Sequence, residues 1–401
     1  MTTSRDPSPG AIPQPNARAP SSPLQVWRAE MQRAALQTQR FFQVLSDAEA
    51  QVGLTPNDVV WKRGSAQLFR YRVTTAEQFP VPLLMVHSLV NKPYILDLTP
   101  GNSFVEFLVK AGFDVYLIDW GTPRPEDKRL SLDSYVLDLL PAVVEVMREE
   151  SEASEFSLFG YCMGGQLALM YAATHTAEPL RNLVTLATPV DSRGMGLNSF
   201  LAQERFMDVD RLVDTFGNIP TEIIEQSFRV LRPASTEFSP GRYISLWENV
   251  LNDRYVQQYR AFDRWARDQI PFPGEAFRQM VKEIVQRNRL FEGTMTLHGR
   301  PAPLSAITCS FLAVAAEQDH IVPLAATTCQ PELVGSTDKE LLVMPGGHVG
   351  LAAGRKAASS LWPKVASWLA ERSRSAAAPA SKQGSGRLAA ARRRDVRGRF
   401  V

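Results

Sequence analysis

"FSLFGYCMGG", residues 156 to 165, reads as a buried strand that runs into a tight glycine turn and then a helix. Within it, Gly160-Tyr161-Cys162-Met163-Gly164 fits the pattern glycine, any residue, nucleophile, any residue, glycine. In that pattern a strained turn lifts a reactive side chain above a sheet. Glycines lack Cβ atoms, so Gly160 and Gly164 let strand and helix approach closely, and the helix N-terminus beneath the sulfur favours a thiolate. A thiol stands where serine is the usual nucleophile. On this stretch alone, a buried structural cysteine among glycines fits about as well.

Outward from the turn, short apolar runs alternate with longer amphipathic stretches. "LFRYRV", "VPLLMVHS", "DVYLIDW", "FSLFG", "NLVTLAT", "FLAVAAEQD" and "ELLVMPGGH" read as strands, several of them apolar enough to be buried on both faces. Between them, "NSFVEFLVKAG" reads as a helix capped by Asn102 and ended at Gly112, and "MGGQLALMYAATH" as the helix that follows the turn. This alternation predicts an α/β protein with a mostly parallel sheet and helices on both faces. One interval breaks the rhythm, because the strand ending near Thr188 is followed by the next convincing one only near Phe311. Ordinary connections are far shorter. The interval is rich in helical patterns and in aromatics such as Phe200, Phe216, Trp247, Tyr255, Tyr259 and Trp265, and it predicts an inserted cap over residues 191–300. The plainer reading of most of these aromatics is a small core internal to the cap.

Two further residues complete the pattern at the turn. Asp319 ends "FLAVAAEQD" and His348 ends "ELLVMPGGH", so both lie at strand ends where side chains converge on the turn. Nucleophile, acid and base in that chain order are the signature of an α/β-hydrolase fold. His348 would deprotonate a thiol or hydroxyl, and Asp319 would fix its tautomer and steady its charged form. The backbone N–H of Met163, with one from the loop around Val90, is the expected oxyanion pair. His87 ends a strand near that loop, His320 adjoins Asp319 and could assist acid–base chemistry, and His175 and His298 read as structural or exposed. Cys309 and Cys329 read as small buried hydrophobes.

At 401 residues and 44% apolar content the chain can bury a full core. No apolar run is long enough to cross a bilayer, no export signal is visible, and three cysteines without CxxC or metal-ligand spacing suit a reducing cytoplasm. The last thirty residues carry eight Arg and one Lys against one Asp, a local +8 that leaves about −6 elsewhere in a chain of net +2. Residues 373–401 therefore read as a disordered basic tail, and 1–24, with six prolines, as a disordered proline-rich one. The core is expected over 25–190 and 301–372.

Several longer stretches carry a resemblance. "VGLTPNDVV", "LVNKPYILDLTPGNSFVEFLVKAGFDVYLIDWG", "FGYCMGGQLALMYAA", "GEAFRQMVKEIVQRNRLFEG", "DHIVP" and "PGGHVGL", spread over about residues 50–372, resemble the polyhydroxyalkanoate synthases. The likeness is to the short catalytic subunit of the two-component class. Met163 stands where the family's pattern leads one to expect Gln or Leu, and neither tail belongs to it. The resemblance implies that Cys162, Asp319 and His348 are a catalytic triad acting on a 3-hydroxyacyl-coenzyme A. It also implies a growing polyester chain and a second synthase subunit as partners, and a place at the surface of polyester granules. A homodimer or hetero-oligomer is expected. No separate cofactor, metal or nucleic acid is expected, since coenzyme A belongs to the substrate and is released.

A thiol suits such chemistry, because acyl transfer from coenzyme A to cysteine exchanges one thioester for another and keeps the acyl group activated. The other function classes open to the same fold are a hydrolase, either thioesterase or polyester depolymerase, and a non-catalytic granule or binding protein.

Overall fold

A computed structural model of the chain describes residues 22–46, 50–231 and 241–374. Of the two expected tails, residues 1–21 and 375–401 lie outside the described residues. Their inner ends are helical rather than tail-like: helix α1 spans Pro23–Ser46, and the last helix, Trp362–Arg374, runs past residue 372.

Eight strands make one sheet: β1 (Asn57–Arg63), β2 (Ala66–Tyr71), β3 (Leu83–Val86), β4 (Val115–Asp119), β5 (Phe156–Tyr161), β6 (Leu180–Leu186), β7 (Ser310–Ala316) and β8 (Lys339–Met344). Their spatial order is β1-β2-β4-β3-β5-β6-β7-β8. β2 pairs antiparallel with β1 and β4, and every other neighbouring pair is parallel. From β3 the chain moves to one side to build β4, then crosses to the other side of β3 to build β5. Such a reversal opens a crevice at the carboxyl ends of the strands. Cys162 follows β5 directly at that point.

The sheet is covered on both faces because successive strand residues point to opposite sides. Leu84, Val86 and Leu158 pack with Leu140, Val144 and Leu167, while Leu83, Met85 and Phe159 pack with Phe104, Leu108 and Trp362. The first group belongs with helices α3 (Leu140–Ser151) and α4 (Met163–Thr174), the second with α2 (Phe104–Lys110) and the last helix. Residues 163–173 of α4 are buried throughout, which is why this helix has no polar stripe. The cap of α2 is Ser103 and not Asn102. Ser103 Oγ accepts the Glu106 N–H at 2.8 Å, whereas Asn102 pairs with Thr99 in a short ladder just before the helix.

The sequence pattern does not reveal β1. It is an edge strand, bulged between Val59 and Trp61, and its half-exposed side chains give no apolar run. Residues 191–300 contain helices at Leu197–Leu201, Val209–Phe216, Thr221–Leu231, Gly241–Asn249, Asp253–Arg267 and Gly274–Gln279, and end in a hairpin of Thr296–Leu297 with Arg300–Pro301. An internal aromatic core forms only in part. Tyr255 and Tyr259 pack with Leu246, Val250 and Val256, and Trp247 meets Phe41 of α1 edge-on, so that cluster is shared with α1. Trp265 joins the core of the sheet, and Phe200, Phe216 and Tyr243 are exposed.

The turn after β5 demands glycine for steric reasons. A Cβ on Gly164 would lie 2.1 Å from the Val86 carbonyl oxygen of β3, and one on Gly160 would lie 2.4 Å from Gly165 Cα in α4. Backbone cannot yield as a flexible side chain would. Gly164→Ala should therefore destabilise the fold by about 3 kcal/mol or more, at the upper end of overpacking costs. Gly350→Ala, where an added Cβ meets nothing within 4 Å in the helix His348–Ala352, should be neutral or slightly stabilising. Denaturant unfolding of both variants checks the contrast, and equal costs would contradict it.

Candidate active site

Cys162 has φ 56° and ψ −124°, a backbone conformation that non-glycine residues rarely adopt. Holding a side-chain-bearing residue there costs of order 1–3 kcal/mol and requires support from its surroundings. The support is visible. The Cys162 N–H donates to the Leu186 carbonyl of β6 at 2.9 Å, and its own carbonyl accepts from Gly165 N–H at 3.0 Å as α4 begins. The thiol thus stands at the N-terminus of a buried helix.

Two strands deliver the other groups. Asp319 follows β7, and its Oδ1 accepts the N–H groups of Ile321 and Val322, each at 2.8 Å, so the "DHIVP" turn fixes the carboxylate from below. Its Oδ2 lies 2.7 Å from His348 Nδ1, and both side chains are almost wholly buried. His348 follows β8 and also hydrogen-bonds Cys162. Burial alone would lower the imidazole's pKa, but the Asp319 carboxylate, then the charge on Cys162 and the hydrogen bonds to both, outweigh it. His348 is held well above the ordinary histidine value. Tyr161, which sequence reasoning passed over, sets the ring from one side: its hydroxyl donates to the His348 carbonyl at 3.3 Å, and the two rings lie 5.1 Å apart. Its place beside the nucleophile was the available signal.

Met163 and Val90, the expected oxyanion residues, both border one cavity with Cys162. As the first residue of α4, Met163 has an N–H with no partner inside the helix. The Val90 N–H makes a long 3.4 Å contact with Ser88 Oγ within its loop. The cavity, of about 250 Å³, is walled mostly by apolar side chains from the cap, including Leu212, Ile219, Ile224, Phe272, Phe277 and Met280. Ile321 and Val322 also line it, so the turn that grips Asp319 forms part of its wall. The Val209–Phe216 helix of the cap is fastened over this region by Arg278, which pairs with Asp210 and Asp214, and by Lys282, 2.6 Å from Asp210.

The remaining histidines stand apart. His320 is exposed beside Asp319, His175 stacks on Tyr171 at 4.3 Å, and His298 is exposed near Asp133. His87 is buried, with Nε2 2.7 Å from Asn91 Oδ1. Burial chiefly, and the charge of His348, push its pKa down to about 4 against the Asn91 bond, so it is neutral. Burial pushes the Cys309 and Cys329 thiols up to about 12 and about 11, the state of inert cysteines. Among the described residues, no group of His, Cys, Asp and Glu could hold a metal ion, and no helix is long and apolar enough to cross a membrane.

Comparison with known proteins agrees with this fold. The family model described as alpha/beta hydrolase fold matches residues 81–352, and that described as Poly-beta-hydroxybutyrate polymerase (PhaC) N-terminus matches residues 30–108. A carboxyl esterase from Bacillus coagulans is similar in fold, with a TM-score of 0.53 at 15% identity over 79% of this chain and 99% of the esterase. In sequence the chain is 37% identical to the poly(3-hydroxyalkanoate) polymerase subunit PhaC of Haloferax mediterranei, over 81% of this chain and 66% of that one. It is also 37% identical to the PhaC subunit of Allochromatium vinosum, over 82% of this chain and 92% of that one. With two thirds or more of the second relative covered and the hydrolase model spanning most of the core, this chain belongs to the family of poly(3-hydroxyalkanoate) polymerase subunits, acyltransferases built on an α/β-hydrolase fold.

Proposed function

We propose that the protein polymerises a short-chain 3-hydroxyacyl-coenzyme A, with 3-hydroxybutyryl as the acyl group, through an acyl thioester on Cys162. The observation that carries the reading is a thiol lining an apolar cavity, hydrogen-bonded to a buried histidine that is paired with a buried carboxylate. The small volume of the cavity supports a short acyl chain.

In this reading His348 is the acid of the first half-reaction and the base of the second. The Cys162 thiolate attacks the thioester carbonyl of the substrate, and the N–H groups of Met163 and Val90 receive the charge that develops on its oxygen. As the carbon–sulfur bond to coenzyme A breaks, the His348 imidazolium gives its proton to the departing thiolate. Acylation therefore removes the charge on Cys162 and leaves His348 neutral. That neutral ring is the base for the next step. It takes the proton from the hydroxyl of another monomer or of a growing chain, the oxygen attacks the Cys162 thioester, an ester bond forms, and Cys162 leaves as thiolate beside a recharged His348. Asp319, held by two backbone N–H groups, keeps Nδ1 protonated throughout. Water competes with the hydroxyl for the acyl group, and an apolar wall over the sulfur disfavours it. A thioesterase or depolymerase would need water at the same position.

The reading needs no cofactor beyond the coenzyme A of the substrate. It extends to a second synthase subunit or a further copy of the chain as partner, and to a cytoplasmic site at the granule surface. Exposed apolar side chains on α1 and the cap, among them Trp27, Met31, Phe200 and Phe206, support an association surface.

Two tests follow. Cys162→Ala should abolish acyl transfer and Cys162→Ser should nearly do so. His348→Ala should lose both half-reactions, while Asp319→Asn should retain first acylation and slow elongation, since a thiol at a helix N-terminus needs less help than an alcohol. Rapid-quench measurement of the first acylation decides this, and equal loss in the Asp319 and His348 variants would contradict it. The second test reads the charge pairing itself. His348 should titrate well above the ordinary value of about 6.5 in the free protein, and its midpoint should fall in Cys162→Ala, where one raising charge is gone. Histidine-labelled NMR across pH 5 to 10 measures both; an unchanged midpoint in the variant would contradict the coupling of His348 to Cys162.

A further inference from the structure

The loop that carries the oxyanion donor is held from above by the cap. It leaves β3 at His87 and reaches Lys92 through Ser88, Leu89, Val90 and Asn91, and its first four residues are buried. The core side supplies two anchors, Trp120 Nε1–H to the His87 carbonyl at 3.0 Å and Lys92 Nζ to Thr122 Oγ1 at 2.9 Å. A single stretch of the cap, Trp265 to Phe272, supplies the others. Trp265 Nε1–H donates to the Lys92 carbonyl at 2.9 Å, the Ile270 N–H donates to the Val90 carbonyl at 3.3 Å, and Gln269 pairs with Asn91 as an antiparallel bridge. Next to these, Asp268 accepts from the Tyr94 hydroxyl at 3.0 Å. The far end of the stretch is tied in turn. Phe272 and Ile219 exchange both backbone hydrogen bonds, at 2.8 and 3.0 Å, and Ile219 leads into the helix Thr221–Leu231 that walls the cavity with Ile223 and Ile224.

Backbone hydrogen bonds thus run from the cavity wall, through residues 270–272, to the carbonyl of Val90, and the Trp265 side chain ties the next carbonyl but one, that of Lys92. The Val90 N–H has as its partner inside the loop the long contact to Ser88. An N–H so loosely held locally takes its direction from what holds the rest of the loop. We infer that the strut Trp265–Phe272 positions the oxyanion loop, with Trp265 as the positioning residue, so that the hole is complete only while this part of the cap is seated. A site that loses one of its two oxyanion donors when unseated also loses power to hydrolyse its acyl group when water can reach it.

The inference rests on the proposed acyl transfer, and the test separates the two. Trp265→Phe keeps an aromatic ring in the core, removes the indole N–H and leaves a smaller side chain. One net hydrogen bond corresponds to roughly a ten-fold effect at most. The variant should lose about that factor in kcat with KM nearly unchanged. It should also lose the same factor in affinity for a trifluoromethyl ketone, which forms a charged adduct on Cys162 and needs the hole but no coenzyme A. An ether analogue that cannot form the adduct should bind as before. Asn91→Ala, at a half-buried position, removes the partner of His87 Nε2 from the same loop and should shift ketone affinity in the same direction. It serves where Trp265→Phe lowers the melting temperature sharply. Unchanged ketone affinity in a folded variant overturns the inference, and so does equal loss for ketone and ether. Failure of the wild-type protein to turn over any acyl-coenzyme A, with ketone affinity still sensitive to Trp265, would instead overturn the substrate assignment and leave the strut standing.

Discussion

Everything at this site depends on one strained residue. Cys162 can present its sulfur above the sheet only because its backbone is forced to a positive φ between β5 and α4, and that conformation persists only where strand, helix and neighbouring strand nearly touch. The contact of Gly164 with β3 and of Gly160 with α4 is therefore part of the chemistry as well as of the fold. The same approach brings the end of β3, with His87 and the oxyanion loop behind it, beside the first turn of α4. Cys162 and the proposed oxyanion donors are adjacent because two backbones have no Cβ between them.

Charge is the second constraint. An isolated ion is expensive to bury, and here the cost is offset by pairing: Asp319 accepts two backbone N–H groups and His348, and His348 in turn faces Cys162. In the proposed mechanism the set works as a unit in which one proton is passed back and forth. A serine ester would discard the activation that a thioester retains. In the proposed mechanism the choice of sulfur and the protonated state of His348 are two sides of one arrangement.

How much of this could be read from sequence follows from how local each feature is. Cys162 and Asp319 were legible because each follows a buried apolar strand, and His348 because β8, although an edge strand with only Met344 buried, keeps the apolar run Leu341–Met344 ahead of its glycine turn. The βα alternation was legible for the same reason. β1 was not, since an edge strand with half its side chains in water leaves no apolar run, and α1 was not, because among its residues only Val44 is buried. Asn102 was a reasonable cap by residue type, yet the ladder with Thr99 takes it one position too early and Ser103 serves instead. The cap aromatics divided among the core, α1 and solvent according to packing that no local pattern encodes. The strut from Trp265 to Ile270 was beyond reach, because its contacts are mostly backbone to backbone across more than a hundred and seventy residues of chain.

The central claim is that the acyl group travels on Cys162 and passes to a hydroxyl rather than to water. Mixing the protein with one equivalent of 3-hydroxybutyryl-coenzyme A, quenching in acid at successive times and mapping peptides by mass spectrometry tests it most directly. The account predicts a 3-hydroxybutyryl adduct confined to the peptide bearing Cys162, which then gives way to ester-linked oligomers on the same sulfur with little free acid. An adduct on another residue, or none while coenzyme A is released, or free 3-hydroxybutyrate as the main product, would contradict it.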